Sequence, residues 1–228
     1  MRVSAIIPAA GSGRRLGARL PKLLVPVFGI PLLVHTLRQL KKSFSFSEIL
    51  LAVQAGHQEK IRHILDSYGL RGVKIVAGGK TRAESVYNAI WEASPACDWI
   101  LVHDMARPLV RPRLVREILK AARKTGASIC GLPATATVKR IDLKKKEVLS
   151  TQNRDELFLI QTPQVFRRDR ILERYRKLGR KAFLATDEAA LFDGTNVKIK
   201  VVLGETKNIK ITTPDDLRLF QFYLKRKS

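Results

Sequence analysis

Five short apolar runs, Val3–Ile7, Ile49–Val53, Val73–Val76, Trp99–Val102 and Ser128–Leu132, recur before Pro133, and most are apolar on both faces. A strand wetted on one side alternates apolar and polar residues. A run apolar on both faces has to be covered twice, the condition of a parallel strand with helices above and below it. Between these runs, Ile61, Ile64, Leu65 and Tyr68 fall at i, i+3, i+4 and i+7, and Ala83, Val86, Tyr87 and Ile90 repeat the pattern, each marking one face of a helix. The alternation predicts an α/β fold with an open, doubly wound, mostly parallel, Rossmann-like sheet. Ligands of such a sheet bind beyond the carboxyl ends of its strands.

The rhythm breaks after Pro133. Residues 134–160 hold two β-like stretches around Lys144-Lys145-Lys146-Glu147, which predicts a β-arm leaving the sheet, for dimerisation, or an edge hairpin of the same domain. Val197, Ile199 and Val201 alternate with Lys198, Lys200 and Val202 and predict one more strand. Pro214, Asp215 and Asp216 then open a final helix through Tyr223, with acidic residues placed to suit the helix dipole. The 228 residues fit a single domain, 1–228, with the arm within it. No apolar stretch approaches the roughly 18 residues needed to span a bilayer, and Pro8, Gly11 and Arg14-Arg15 interrupt the N-terminal run too early for a signal peptide. Two cysteines, Cys97 and Cys130, provide no disulfide framework and no zinc site. The expectation is a cytoplasmic protein with reduced thiols and no membrane partner.

Lys and Arg number 43 against 20 Asp and Glu, a formal net charge of +23. Such a surplus favours an anionic partner: nucleic acid, an acidic surface or phosphorylated small molecules. Arg113, Arg116, Lys120 and Arg123 share the helix face opposite Leu114, Val115, Ile118 and Leu119, and the remaining basic clusters are scattered along the chain. Scattered charge reads as solvated faces. Without a recognition-helix, zinc-finger or aromatic-stacking motif, no specific nucleic-acid partner is expected, and a basic nucleic-acid-binding protein remains the rival class.

The stretch Pro8-Ala9-Ala10-Gly11-Ser12-Gly13-Arg14-Arg15-Leu16-Gly17-Ala18-Arg19-Leu20-Pro21-Lys22 follows the first strand directly. Its glycines fail the dinucleotide-binding spacing, and no Gly-Lys-Ser/Thr completes a P-loop. What remains is a glycine-rich turn, either an ordinary solvated loop or one whose backbone N–H groups approach a polyphosphate while arginine and lysine neutralise it.

The run from Pro8 to Leu16 with Pro21-Lys22 resembles the signature loop of the sugar-phosphate nucleotidyltransferases. Gly78-Gly79-Lys80-Thr81-Arg82-Ala83-Glu84-Ser85-Val86, Val102-His103-Asp104-Met105-Ala106-Arg107-Pro108, Thr162-Pro163-Gln164, Thr186-Asp187-Glu188 and Asn208-Ile209-Lys210-Ile211-Thr212 with Pro214-Asp215-Asp216-Leu217 narrow it. In order and spacing this set is similar to the 2-C-methyl-D-erythritol 4-phosphate cytidylyltransferase family. Three positions depart from that pattern: Lys80 stands where an acidic residue is usual, Met105 where a small one is, and Leu23 where glutamine is common.

The resemblance implies attack by the phosphate of a polyol phosphate on the α-phosphorus of CTP, releasing pyrophosphate and leaving a CDP-alcohol. It further implies a place in the non-mevalonate isoprenoid pathway; a cytidylyltransferase for ribitol 5-phosphate is the nearest alternative. It gives Arg15, Lys22, Arg154 and Lys210 catalytic roles, and places Ala9, Ala10, Gly11, Gly13, Gly79, Arg82 and Ser85 around CTP. Asp104, Arg107, Thr137, Arg154, Thr162, Thr186 and Lys210 match substrate-binding positions. Asp104 is the expected Mg²⁺ ligand, since magnesium takes one or two carboxylates and fills its shell with phosphate oxygens and water. A homodimer is implied, with Thr137 and Arg154, beside the arm, acting on a neighbouring subunit's site. Read without the family, Asp104 serves equally as a turn cap, Thr186-Asp187-Glu188 as a helix N-cap with acidic first-turn residues, and Lys210 as a surface lysine. His103 reads as a packing or hydrogen-bonding residue, and Cys130 as core.

Overall fold

The computed structural model describes residues 1–11, 16 and 20–226. In chain order these form β1 (Val3–Pro8), the two-residue strands β2 (Pro26–Val27) and β3 (Ile30–Pro31), α1 (Leu32–Ser43), β4 (Glu48–Val53) and α2 (Gln58–Ser67). There follow β5 (Val73–Ala77), α3 (Arg82–Glu92), β6 (Trp99–Val102), α4 (Pro112–Thr125) and β7 (Ala127–Pro133). The chain continues through β8 (Lys139–Asp142), β9 (Glu147–Thr151), β10 (Phe158–Arg167), α5 (Arg168–Leu178), β11 (Lys200–Leu203) and α6 (Pro214–Lys225).

The main sheet has seven strands in the order β11-β7-β10-β6-β1-β4-β5. β1 runs parallel to β4 and β6, β5 parallel to β4, and β11 parallel to β7; β10 alone is antiparallel, to both β6 and β7. The both-faces-apolar runs are doubly covered because successive side chains point to opposite sides. Val3, Ala5 and Ile7 of β1 join one core with α1, α2, α4 and α6, which supply Leu37, Ile61, Ile118 and Phe220. Ile6, from the same strand, joins the other core with α3 and α5, which supply Val86, Ile90, Ile171 and Tyr175. Each fully buried Val, Leu, Ile or Phe among them stabilises the fold by about 1.5–3 kcal/mol relative to exposure.

Local signals set the helix ends. Pro112 opens α4, and Gly126, at φ 89°, closes it in the left-handed conformation, where a side chain would also strike the Arg170 guanidinium. The basic residues of α4, Arg113, Arg116, Lys120 and Arg123, are all exposed, as expected of a solvated face. Thr213 caps α6 through a full capping box with Asp216.

Three differences from the sequence reading have physical causes. β10 was not anticipated: a bulge between Gln161 and Val165 places the polar Thr162-Pro163-Gln164 inside the sheet and hides its strand character. The last strand begins at Lys200 rather than Val197, since Val197 and Ile199 pack under the second core before pairing with β7 starts. α1 and α5 also went unread; α5 is so rich in charge that only Ile171, Leu172 and Tyr175 are buried. The arm is present as a separate two-stranded antiparallel sheet of β8 and β9.

Candidate active site

A cleft of about 330 Å³ opens beyond the carboxyl ends of β1, β5 and β6. Pro8, Ala9, Ala10 and Gly11 line it from the loop after β1, and Gly79, Lys80 and Thr81 from the loop after β5. Asp104, Met105 and Ala106 line it from the loop after β6; Arg82 and Ser85 project from α3, and Lys22, Lys210 and Thr212 close the rim. Gly78 lets the first two loops touch. A Cβ there would lie 2.5 Å from Ala10 Cβ and 3.0 Å from the Val53 carbonyl oxygen, so only glycine fits. Gly79 N donates to Ser85 Oγ (3.0 Å), which donates in turn to Thr81 O (2.8 Å); the hydroxyl expected to face CTP thus also shapes its loop.

Asp104 is the electrostatic centre. It is buried, and its Oδ1 accepts from Arg82 Nε (2.9 Å) while Oδ2 meets Lys210 Nζ at 2.8 Å. Arg107 Nε lies 3.5 Å from the same Oδ2. Burial alone would raise the Asp104 pKa, but Arg82, Lys210 and Arg107 outweigh it and hold the carboxyl well below the usual range. Arg82 is held further by Glu188, whose two oxygens accept from Arg82 NH1 (2.8 Å) and NH2 (3.0 Å). Burial pushes Glu188 upward against the pull of Arg82, whereas Arg82 itself is raised by its two carboxylates over the opposing effect of burial. The two shifts point different ways for the pair; the bidentate geometry, with two parallel N–H···O bonds, is that of an ionised pair.

Arg107 and Thr162 lie beneath this layer rather than in the cleft. Arg107 NH1 donates to Asn208 O (2.7 Å), and Ile211 N donates to Ala106 O (2.9 Å), so the segment carrying Lys210 is sewn to the loop after β6. Thr162 Oγ1 accepts from Asp104 N (2.9 Å) and pairs with His103 Nδ1 (3.1 Å), while His103 Nε2 faces Arg107 O at 3.1 Å. Because the Arg107 carbonyl can only accept, the neutral ring carries its proton on Nε2, and Nδ1 accepts from the Thr162 hydroxyl. Burial lowers the pKa of His103 to about 4. It is a neutral brace, as expected.

The structure therefore gathers Ala9, Ala10, Gly11, Lys22, Gly79, Arg82, Ser85, Asp104 and Lys210 in one cleft. Gly13 and Arg15 lie outside the described residues. Thr186 is exposed and does not line the cleft, and Thr137 and Arg154 belong to the arm region, where Arg154 NH1 donates to Thr135 O (3.1 Å). Arg82 lines the cleft and also pairs through its Nε, NH1 and NH2 with Asp104 and Glu188. Glu188, read as a first-turn acid, is its buried partner; nothing in the local sequence signals a contact spanning 106 positions. Leu23 is buried in the first core beside Lys22, which gives that departure a packing role.

Asp104 does not fit as a protein ligand for Mg²⁺ in this arrangement, because Arg82 faces its Oδ1 and Lys210 and Arg107 face its Oδ2.

A glycine-lined loop and convergent lysines at the carboxyl ends of parallel strands define a nucleotidyltransferase of the α/β type. Comparison with known proteins is specific. Residues 3–226 match the family model described as 2-C-methyl-D-erythritol 4-phosphate cytidylyltransferase, IspD. Enzymes of that name from Bacillus cereus and Alkaliphilus metalliredigens are each 38% identical; the first alignment covers 96% of both chains, the second 99% of this chain and 94% of the other. The crystal structure of 4-diphosphocytidyl-2C-methyl-D-erythritol synthase from Anaerococcus prevotii superposes with a TM-score of 0.86 at 35% identity, covering 98% of each chain. That of the Thermus thermophilus cytidylyltransferase gives 0.80 at 32%, covering 99% of this chain and all of the other. The chain belongs to the 2-C-methyl-D-erythritol 4-phosphate cytidylyltransferase family.

Proposed function

We propose that the chain joins CTP and 2-C-methyl-D-erythritol 4-phosphate, releasing pyrophosphate and forming 4-diphosphocytidyl-2-C-methyl-D-erythritol for isoprenoid biosynthesis. The observation that carries the reading is Lys210 held at 2.8 Å by Asp104 in the same cleft as Lys22 and the first loop. A phosphate monoester has its second pKa near ~6, so the nucleophile arrives largely dianionic and needs no general base. The difficulty is that two anions must meet while charge grows on the leaving pyrophosphate. Fixed cations aimed at that charge supply the catalysis. Lys210 has three N–H donors; Asp104 takes one and the substrate phosphate can take the others. Lys22, which lines the same cleft, is proposed to meet the triphosphate. Magnesium is proposed to enter with CTP, carried on its phosphate oxygens and water.

The homodimer is part of the same reading. The arm carries Leu143, Val148 and Leu149 at 86%, 60% and 56% exposure, an apolar surface that a second copy would cover. Arg154 and Thr137, beside that arm, are proposed to serve the neighbouring subunit's cleft. A cytoplasmic setting accords with the free, buried thiols of Cys97 and Cys130.

The test is pyrophosphate release with CTP and each candidate polyol phosphate. Turnover with 2-C-methyl-D-erythritol 4-phosphate, lost by about 10²–10³-fold in Lys22→Ala and Lys210→Ala, supports the assignment. Faster turnover of ribitol 5-phosphate, or of another nucleoside triphosphate, moves it to a different transferase.

A further inference from the structure

Glu188 is buried, with 1% of its surface exposed, and the reaction derived above gives it no task. The segment that carries it is pinned to β10. Gln164, fully buried, donates from Nε2 to Asp187 Oδ2 (2.8 Å) and accepts from Ala189 N (3.3 Å), while Asp187 Oδ1 accepts from Ala190 N (3.0 Å). So held, Glu188 meets Arg82 at the first residue of α3 through two hydrogen bonds of 2.8 and 3.0 Å. The guanidinium is fixed from one end by Glu188 and along its Nε edge by Asp104 Oδ1 at 2.9 Å. Asp104 is oriented in turn, because its backbone N–H is tied to Thr162 and its Oδ1 to Arg82; Oδ2 is left facing Lys210 Nζ at 2.8 Å.

We propose that Glu188 is a positioning residue that, acting through Arg82 and Asp104, sets the place of the Lys210 ammonium in the cleft. The inference rests on the reading of Lys210 as the group that meets the attacking phosphate. Two carboxylates and three cations make up the cluster. Among the described residues, removing the Glu188 charge leaves Arg82 with Asp104 as its one carboxylate partner, so the guanidinium competes for both Asp104 oxygens and Lys210 loses its anchor. Displacements of about 1 Å at a reacting group cost on the order of 10²-fold in rate. The CTP cradle, built from the first loop and Gly79, is untouched.

The experiment is a double-mutant cycle of Glu188→Gln, Arg82→Met and both together, each assayed for kcat, for KM of CTP and for urea unfolding, at a temperature where all are folded. Glu188→Gln is expected to lower kcat about 10²-fold with little change in KM for CTP, and to lower stability, because the half-buried Arg82 guanidinium loses one of its two carboxylate partners. The double variant is expected to regain stability, because no lone buried charge remains, while kcat falls no further than in Arg82→Met. A double variant whose kcat falls well below that of Arg82→Met means that Glu188 acts other than through Arg82 and overturns the proposal, as does unchanged kcat in folded Glu188→Gln. Should Glu188→Gln fail to fold, Glu188→Asp keeps the charge with a shorter reach; a smaller kcat loss is expected, and none overturns the proposal. A crystal structure of whichever variant folds provides a readout independent of activity: Lys210 Nζ still seated on Asp104 overturns the positioning role. Absence of turnover in the wild-type protein overturns the assignment of the reaction instead.

Discussion

Cys130 sits within β7 with its Sγ 3.4 Å from the Pro163 carbonyl oxygen, and burial pushes its pKa up to about 12. At pH 8 that leaves about one thiolate in 10⁴, and the thiolate is the reactive form. Cys97 is buried as well. Native protein at pH 8 is therefore expected to resist iodoacetamide while the urea-unfolded chain takes up two equivalents; rapid labelling of native Cys130 contradicts the packing. Phe28 presents a different local problem. With Gly29 it turns the β2–β3 hairpin at φ 50° and 73°, and it is more than half exposed. Two positive φ values suit Asn-Gly, whereas a bulky side chain pays a steric penalty in the left-handed region. Phe28→Asn is expected to stabilise the fold by about 1 kcal/mol, raising Tm by roughly 2–4 °C. A lower Tm means that the Lys225 ammonium over the Phe28 ring, 5.9 Å from its centroid, outweighs the strain. Residue identities at the first loop, Gly79, Asp104 and Lys210 were legible because their motif order is specific. Glu188 was not, since its partner Arg82 is chosen by the chain's path in space.

Among the elements, α6 depends most visibly on its first turn. Thr213 Oγ1 accepts from Asp216 N, Asp216 Oδ2 accepts from the backbone N–H groups of Thr212 and Thr213, and Pro214 sits at the first helical position. Thr213→Ala is expected to cost about 1 kcal/mol by urea unfolding; since Thr212 lines the cleft, the same variant tests how far helix entry sets the rim. A cost below a few tenths of a kcal/mol says that packing of Phe220 alone holds the helix. α4 and α6 were readable because apolar period, proline and cap agree. α5 defeated the reading because a few buried side chains suffice once Phe166, Phe192 and Tyr87 surround them. β10 escaped because its central polar residues, Gln161, Thr162 and Gln164, are satisfied by side-chain partners on other segments rather than by water. Periodicity registers solvent, and there is none at those positions.

For the whole molecule, the arm carries the question of assembly. If the chain dimerises through the arm, replacing Leu143 and Leu149 with Asp converts that dimer to a monomer in sedimentation velocity without altering the far-ultraviolet circular dichroism; a dimer that persists removes the arm from the interface. If Arg154 serves the neighbouring cleft, mixing Arg154→Ala chains with Lys210→Ala chains restores part of the lost turnover, because hybrid dimers contain one intact site. A wholly inactive mixture counts against the shared site. The charge of +23 belongs to this scale as well, spread over exposed helix faces such as that of α4.

The sequence by itself determined the layered α/β architecture and the family. Apolar runs without alternation demand cover on both faces, and the ordered motifs constrain which residues return to the strand ends. Only the tertiary structure decided what each charged group faces: that Asp104 binds three cations rather than presenting a free carboxylate, that Arg82 is braced by Glu188, and that Arg107 lies under the cleft rather than in it. The physical reason is range. Burial patterns are written locally along the chain, whereas an ion pair depends on distances of a few ångströms between segments a hundred residues apart.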